Sequence, residues 1–515
     1  MRLLTSSEMQ LVEQYTAKYG LSYQRMMENA GAACARNIRA VIEKEGIKGK
    51  KIVVVCGKGN NGGDGFVIAR KFAEIGYNVC VLLASGYPNS TEATYMYKLV
   101  LDMSVPTIWY DADKPKALQT VRNADIIVDA VFGFSFYGNI NDEMKVLFNE
   151  MSAADGIKFS VDLPSGVYCD SGYFDVNCIR SDYTIAISSL KPAHIMHPAC
   201  ECCGNIIIAN IGLPEESYDV VGDTLFTYDK SEVKALFPER KSVSHKGDFG
   251  HLLCICGSRQ MPGAASLSTG AALRSGAGLV TVAFPESAYP VIASGLTEAI
   301  LLPLKENESG TLSADCIEDI KRNIHKYDAI LIGCGLGVND DTAAVVKWVV
   351  ENAEVPVIVD ADGINLIAAD IDIIKGAKNK LIFTPHPLEM SRLTGDPVQV
   401  ILSDTVSAVR SFSHKFGVYT VLKTANTVIA FPENDRVYVN STGNTGLSKG
   451  GSGDVLAGLL SGLVVQNFDI ASALCVGVYI HGYTADIVAE NSSKTGMLPH
   501  DLINEFKTVF GFFEK

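Results

Sequence analysis

The most apolar stretch read from the sequence, Val455 to Val465, is broken by Gly and Ser and falls short of the roughly 18 residues a spanning helix needs. No transmembrane segment is therefore expected. The N-terminus, MRLLTSSEMQLVEQY, lacks the apolar core of a signal peptide. Positive charge is scarce: 44 Lys+Arg stand against 58 Asp+Glu, a formal charge of -14. Such a field repels phosphate backbones and anionic headgroups, so neither nucleic acid nor membrane is expected as a partner. The 13 Cys are odd in number and show no regular spacing, which argues against a disulfide framework and for a reducing cytoplasm. The Gly-x4-Gly-Lys-Ser/Thr spacing of a P-loop is missing, as are solenoid repeats and low-complexity tracts. What remains is ordinary globular composition, 47% hydrophobic and 20% charged, over 515 residues, enough for roughly two to four domains.

Apolar, β-rich runs at Lys51 to Cys56, Asn78 to Leu83, Asp125 to Val131 and Lys158 to Val161 alternate with helical stretches such as Phe66 to Ile75 and Glu143 to Met151. That alternation predicts parallel βαβ units. A second series runs HLLCIC, GLVTVAF, DAILIG, VPVIVD, KLIFTP and YTVLK from about Phe249 onward. Two α/β domains in tandem follow, 1–222 and 223–515, separated by the polar segment Leu213 to Lys246 with Pro214 and Pro238. In open parallel sheets ligands gather beyond the carboxyl ends of strands, so the residues just after these runs are the informative ones.

After the first strand comes Gly57-Lys58-Gly59-Asn60-Asn61-Gly62-Gly63-Asp64-Gly65. A dinucleotide fingerprint would require an acidic residue about 20 positions on; the sequence has Leu83-Ala84-Ser85 there. The polar Asn60, Asn61 and Asp64 point instead to a site gripping a polar ligand at a helix N-terminus. Asp129, followed by Gly133 to Gly138, and Asp162, followed by Leu-Pro-Ser165-Gly, close two neighbouring strands and converge on the same crevice.

GNNGGDG, DAVFG and SVDLPSGV together resemble the N-terminal domain of the bifunctional NAD(P)H-hydrate repair enzymes, over about the first 215 residues. The resemblance implies a Rossmann-like domain that epimerises the hydrated nicotinamide ring. It makes Asp162 the catalytic acid/base, and makes Asn60, Asn61, Gly62, Gly63, Asp64, Gly133, Phe134, Ser135, Phe136, Tyr137, Gly138, Asn139 and Asp162 the substrate pocket. It also implies a potassium ion at Asn61, Asp129 and Ser165. An amide, one carboxylate and a hydroxyl are hard oxygen ligands, thin for Ca²⁺ or Mg²⁺ but suited to a monovalent cation.

Near the C-terminus, Gly450-Gly451-Ser452-Gly453-Asp454 runs into an apolar helix. Glycines there expose the first N–H groups as an anion hole, and Asp454 can take a proton from an attacking hydroxyl. Gly-Ser-Gly-Asp resembles the signature of ribokinase-like folds. With KGDFGH, VDADGIN, TPHPLEM and LKTANT it resembles the dehydratase domain of the same repair enzymes, which implies a C-terminal ribokinase-like α/β domain. Asp454 is then the catalytic base. Ala264, Gly337, His386 and Asp454 contact the hydrate, and Lys423, Thr424, Ala425, Asn426, Thr427 and Gly453 contact the nucleotide. Members commonly carry Gly where Thr424 stands, and Pro in the loop occupied by Asn444-Thr445-Gly446. The resemblance further implies NADH and NADPH hydrates and ADP as substrates and Mg²⁺ with the ADP; a homo-oligomer is expected, although the sequence does not give the oligomeric state. A small-molecule kinase with a non-catalytic N-terminal domain is the alternative reading. The cluster His194, His197, Cys200, Cys202 and Cys203 matches no standard zinc spacing and is set aside.

Overall fold

The computed structural model describes residues 1–222, 224–237 and 239–514. Pro238 and the first and last residues of the expected second domain, Asp223 and Lys515, lie outside the described residues. The chain divides into two compact units, Met1–Leu225 and Phe226–Lys515.

The first unit holds a seven-stranded sheet in the order β3-β2-β1-β4-β5-β6-β7: β1 (Lys51–Cys56), β2 (Asn78–Leu83), β3 (Thr107–Trp109), β4 (Ile126–Ala130), β5 (Ile157–Val161), β6 (Tyr183–Ile187) and β7 (Asn205–Ala209). Every pairing is parallel. A strand's side chains alternate between faces, and β1 divides accordingly. Ile52, Val54 and Cys56 enter one core with the helices Tyr23–Lys44 and Asn60–Glu74; Val53 and Val55 enter another with Leu147 and Phe148. Strand order reverses between β1 and β4, and the crevice at such a switch point is where a doubly wound sheet binds ligands.

One helix boundary departs from expectation. The glycine-rich segment was expected to precede a helix beginning at Phe66, but that helix starts at Asn60. Its glycines are there for close packing: a Cβ on Gly62 would lie 2.0 Å from the Gly57 carbonyl oxygen, and one on Gly63 would lie 2.4 Å from the Met27 sulfur. The segment between the units is also more regular than expected, holding a 3-10 turn (Glu215–Val220) and a helix (Lys230–Leu236).

The second unit is built on β9 (His251–Ile255), β10 (Leu279–Pro285), β11 (Ile300–Leu304), β12 (Ala329–Ile332), β13 (Val357–Val359), β14 (Leu381–Phe383), β15 (Tyr419–Leu422), β16 (Val428–Ala430) and β17 (Val437–Val439). The short β8 (Leu225–Phe226), where the chain passes from one unit to the other, closes the far edge. The order is β11-β10-β9-β12-β13-β14-β15-β16-β17-β8, parallel up to β15 and antiparallel through the β15-β16-β17 meander. The switch point here lies between β9 and β12. The helices Ser452–Val464 and Ile470–Asn491 supply much of the core over this sheet. By length and composition Ile470–Asn491 could cross a bilayer, which the sequence reading did not single out, but 72% of its most apolar window is buried within the fold.

Candidate active sites

At the switch point of the first unit lies a cavity of roughly 340 Å³. The loops after β1 and β4, the end of β5 and two N-terminal helices bound it. Of the expected residues, Asn60, Asn61, Asp64, Gly133, Phe134, Ser135, Phe136 and Asp162 line it. Tyr137, Gly138 and Asn139 lie outside this lining and are exposed, with the Gly138 carbonyl accepting a bond from the Tyr168 hydroxyl at 2.9 Å. Gly62 and Gly63 are packing positions rather than lining. The helix Asn60–Glu74 has Gly59 at its N-cap with no side-chain cap, so its first N–H groups are not claimed by a capping side chain.

Asp162 follows β5 in the left-handed region, with φ 68°, where a non-glycine residue is strained by about 1–3 kcal/mol. Its carboxylate is buried. Oδ1 accepts from the Lys191 ammonium and from the Ile187 N–H at 3.2 Å, while Oδ2 is buried without a hydrogen-bond partner. Lys191, itself buried, also donates to the Ile187 carbonyl at 2.8 Å. His194 completes the support. The Lys191 N–H donates to His194 Nδ1 at 2.9 Å, which leaves Nε2 to donate to the Asp162 carbonyl at 2.7 Å. This is the neutral ring, and burial, with Lys191 beside it, lowers its pKa to about 4.

Two further carboxyls face the cavity. Burial, then the charge of Asp162, pushes Glu13 up to about 7; burial and the charges of Asp162 and Glu13 push Asp64 well above the usual carboxylate range. Glu13, Lys191 and His194 were not expected from the sequence. Lys191 is the sole Lys, Arg, Asp or Glu between Tyr183 and Cys200, the one local signal that could have drawn attention to it.

Asp129, at the end of β4, is buried. Its Oδ1 accepts from Ser165 Oγ at 2.6 Å and its Oδ2 from the Ser165 N–H at 2.8 Å. The Phe132 carbonyl lies 3.4 Å from the same hydroxyl. The Asn61 amide stands beside Gly133, with its nitrogen buried and unpartnered. Turned over, that amide presents an oxygen instead. The donor set is one of hard oxygens with a single carboxylate, and it fits a monovalent cation.

In the second unit, Asp454 sits in the first turn of the helix Ser452–Val464, whose N-cap, Gly451 (φ 98°), offers no side-chain oxygen. The N–H groups of this turn form the ready anion site of a helix start. A Cβ on Gly453 would lie 3.4 Å from Lys423 Nζ, which brings the strand-end lysine to the helix start. Lys423 donates to Asp360 Oδ1 at 2.6 Å, and Thr384 Oγ1 donates to the same oxygen at 2.7 Å. Burial and the charge of Asp360 push Asp454 up to about 7, against the lowering pull of Cys334 and Lys423. Burial alone would depress the Lys423 ammonium, but Asp360 and Glu389 hold it above its ordinary value.

The remaining expected residues gather around this core. Ala264 lies against Gly335, where an added Cβ would come within 2.7 Å of it. The Gly337 N–H donates to Asp362 Oδ2 at 2.9 Å. His386 is partly committed: its Nδ1 accepts from the Leu388 and Glu389 N–H groups at 3.1 and 3.3 Å, capping the helix Pro387–Thr394. Its Nε2 faces Glu389 Oε1 at 3.3 Å, leaving the half-exposed ring as its free surface. Within the Lys423 to Thr427 turn, Thr424 Oγ1 donates to the Asn426 carbonyl at 2.5 Å. The Asn426 amide donates to the Asn440 carbonyl at 3.0 Å, so that side chain braces the turn. Asp360, Thr384 and Glu389 lie in segments noted in the sequence, but their roles were not legible there.

The family described as NAD(P)H-hydrate dehydratase matches residues 252–508, and the YjeF-related protein N-terminus matches residues 23–193. The bifunctional NAD(P)H-hydrate repair enzyme of Moorella thermoacetica is 32% identical over 508 residues, 98% of this chain and 96% of its own. That of Thermofilum pendens is 32% identical over 98% of this chain and 95% of its own. Among solved structures, a hypothetical protein of Streptococcus mutans is 27% identical with TM-score 0.50, covering 56% of this chain and 100% of its own. The ADP/ATP-dependent NAD(P)H-hydrate dehydratase of Bacillus subtilis, crystallised with ATP and Mg²⁺, is 32% identical with TM-score 0.47, covering 56% of this chain and 98% of its own. With two family domains in order and relatives matched end to end, the chain belongs to the bifunctional NAD(P)H-hydrate repair enzymes.

Proposed function

We propose that the first unit interconverts the R and S forms of NADH and NADPH hydrates at Asp162, and that the second dehydrates the S form at Asp454 at the expense of ADP. Inverting the hydroxyl-bearing ring carbon requires a proton to travel with the departing and returning oxygen. Asp162 suits this step because one oxygen is pinned by Lys191 while the other is an unsatisfied acceptor beside the cavity. Lys191 holds the carboxylate's orientation, and His194 holds the strained backbone that carries it. Asn60, Asn61, Asp64 and the Gly133 to Phe136 loop grip the hydrate, with Glu13 carrying a proton near neutrality at the same wall. Potassium would be held by Asn61, Asp129 and Ser165, where it would offset the buried carboxylate and tie the β4 loop to the Ser165 loop.

In the second unit, Asp454 takes the proton of the ring hydroxyl as that oxygen attacks the terminal phosphorus of ADP. The helix N–H groups and Lys423 receive the charge developing on the phosphoryl oxygens. AMP leaves; the ring lone pair then expels phosphate, a far better leaving group than hydroxide, and the dihydropyridine returns. Gly453 and the Lys423 to Thr427 turn would hold the nucleotide, with Mg²⁺ bound alongside it to supply further positive charge for the phosphoryl transfer. Ala264, Gly337 and His386 hold the hydrate. The observation that carries the reading is the meeting of a carboxyl poised near neutrality, Asp454, with Lys423 at a glycine-capped helix start.

The test supplies a mixture of the two hydrate epimers to wild-type protein and to Asp162→Asn, with ADP, ATP or no nucleotide, and follows the return of reduced-nicotinamide absorbance. Full recovery with ADP is expected for the wild type. Asp162→Asn should recover only the S share, apart from spontaneous epimerisation, and stop. Complete recovery by Asp162→Asn at the wild-type rate would remove the first activity, and recovery without nucleotide would remove the second.

A further inference from the structure

Next to Asp454 stands a set of side chains that neither nucleotide nor hydrate binding uses. Cys334 follows β12 and Asp360 follows β13. One ligand atom from each of Cys334, Asp360 and Asp454 lies within 4.8 Å of the other two, and no other group of three His, Cys, Asp or Glu side chains among the described residues gathers this way. Cys334 and Asp360 are buried. The two oxygens of Asp360 are divided: Oδ1 serves Lys423 and Thr384, while Oδ2 turns to Cys334 Sγ at 3.7 Å. Lys423 thus balances the far side of this carboxylate and leaves the near oxygen to the cluster. Behind Cys334 the buried Cys256 thiol makes a side-chain hydrogen bond to it, so a second sulfur lies at hand.

The ligand chemistry is selective. Magnesium and calcium prefer oxygen and gain nothing from sulfur. A thiolate with two carboxylates in one buried corner suits a thiophilic divalent ion such as Zn²⁺, or Co²⁺ as its spectroscopic substitute. We propose that Cys334, Asp360 and Asp454 bind a zinc-type divalent cation, and that this ion, by occupying the Asp454 carboxylate, switches dehydration off. Binding forms a metal–sulfur bond and releases the Cys334 thiol proton to solvent; no redox change is involved. The binding step stands on the cluster's geometry alone, whereas its inhibitory consequence rests on the proposed role of Asp454.

The experiment titrates Co²⁺ into full-length wild type and Cys334→Ala, both kept reduced with a non-chelating phosphine, and reads the thiolate-to-cobalt charge-transfer band. Dehydratase rates on the S epimer with fixed Mg-ADP are then measured against free Zn²⁺, each protein relative to its own zinc-free rate. The expected result is a wild-type band, saturating at one ion per chain and displaced by Zn²⁺, that is missing in Cys334→Ala. Half-inhibition of Cys334→Ala should need at least tenfold more Zn²⁺. No wild-type band, or one unchanged in Cys334→Ala, overturns the site. A band with no change in zinc sensitivity overturns the inhibition. Asp454→Asn separates the two readings: if it still dehydrates but binds Co²⁺ more weakly than wild type through Cys334, the assignment of the base has failed and the metal site has not.

Discussion

Asp454 is a carboxyl whose proton is held near neutrality, since burial and Asp360 favour the neutral form and bring it to about 7. Only the ionised form can accept a proton, so dehydratase kcat/KM should fall about tenfold per pH unit below that value. Lys423 is one of the groups lowering this pKa; replacing it with Met removes that pull and frees the Asp360 charge. The acidic limb of the Lys423→Met profile should therefore move above 7, read with the S epimer and saturating ADP. A limb that stays or moves down contradicts the arrangement. Asp454 was legible from the Gly-Ser-Gly-Asp run and Asp162 from its strand-end setting, because each is announced by its immediate neighbours. Lys191 and Glu13 were not: they join Asp162 across 29 and 149 positions respectively, and a buried cluster assembled from distant segments leaves no local pattern.

The helix Asn60–Glu74 shows why a glycine-rich stretch can be found by reading and still misassigned. Each interior glycine costs a helix about 1 kcal/mol relative to alanine, so Gly62, Gly63 and Gly65 argue for a loop. Tertiary packing overrides that preference. Gly62 touches the Gly57 carbonyl, Gly63 the Met27 sulfur and Gly65 the Ala130 and Cys56 side chains, letting the helix lie directly against the switch point. Gly62→Ala would place its Cβ 2.0 Å from a backbone oxygen and should cost about 2 kcal/mol or more. Gly59→Ala meets nothing within 4 Å and, at an N-cap, should cost at most about 1–2 kcal/mol. Thermal unfolding of both variants checks the ordering; a Gly62→Ala as stable as wild type would mean the helix does not pack this closely. The strand ends that carry the sites were readable because parallel strands are short apolar runs closed by Gly, Pro or Asp, whereas helix starts masked by glycine were not.

Over the whole chain, each unit carries one sheet with one switch point; the first unit's cavity lies at its switch point, and in the second unit Cys334, Asp360, Thr384 and Lys423 follow the neighbouring strands β12, β13, β14 and β15. Alternating strand and helix patterns made this architecture legible, since a buried parallel sheet writes itself into sequence as repeated apolar runs. The metal-ligand corner beside Asp454 was not legible, because Cys334, Asp360 and Asp454 come from three separate connections. The account's central claim is that dehydration proceeds by phosphorylating the ring hydroxyl at Asp454. The most direct measurement uses S hydrate carrying ¹⁸O in that hydroxyl, incubated with ADP, followed by mass analysis of the inorganic phosphate released. The account predicts one ¹⁸O per phosphate with Asp162→Asn, in which epimerisation does not exchange the label with water, and no labelled phosphate above background with Asp454→Asn. Label found in water with unlabelled phosphate, or undiminished labelled phosphate from Asp454→Asn, would contradict it.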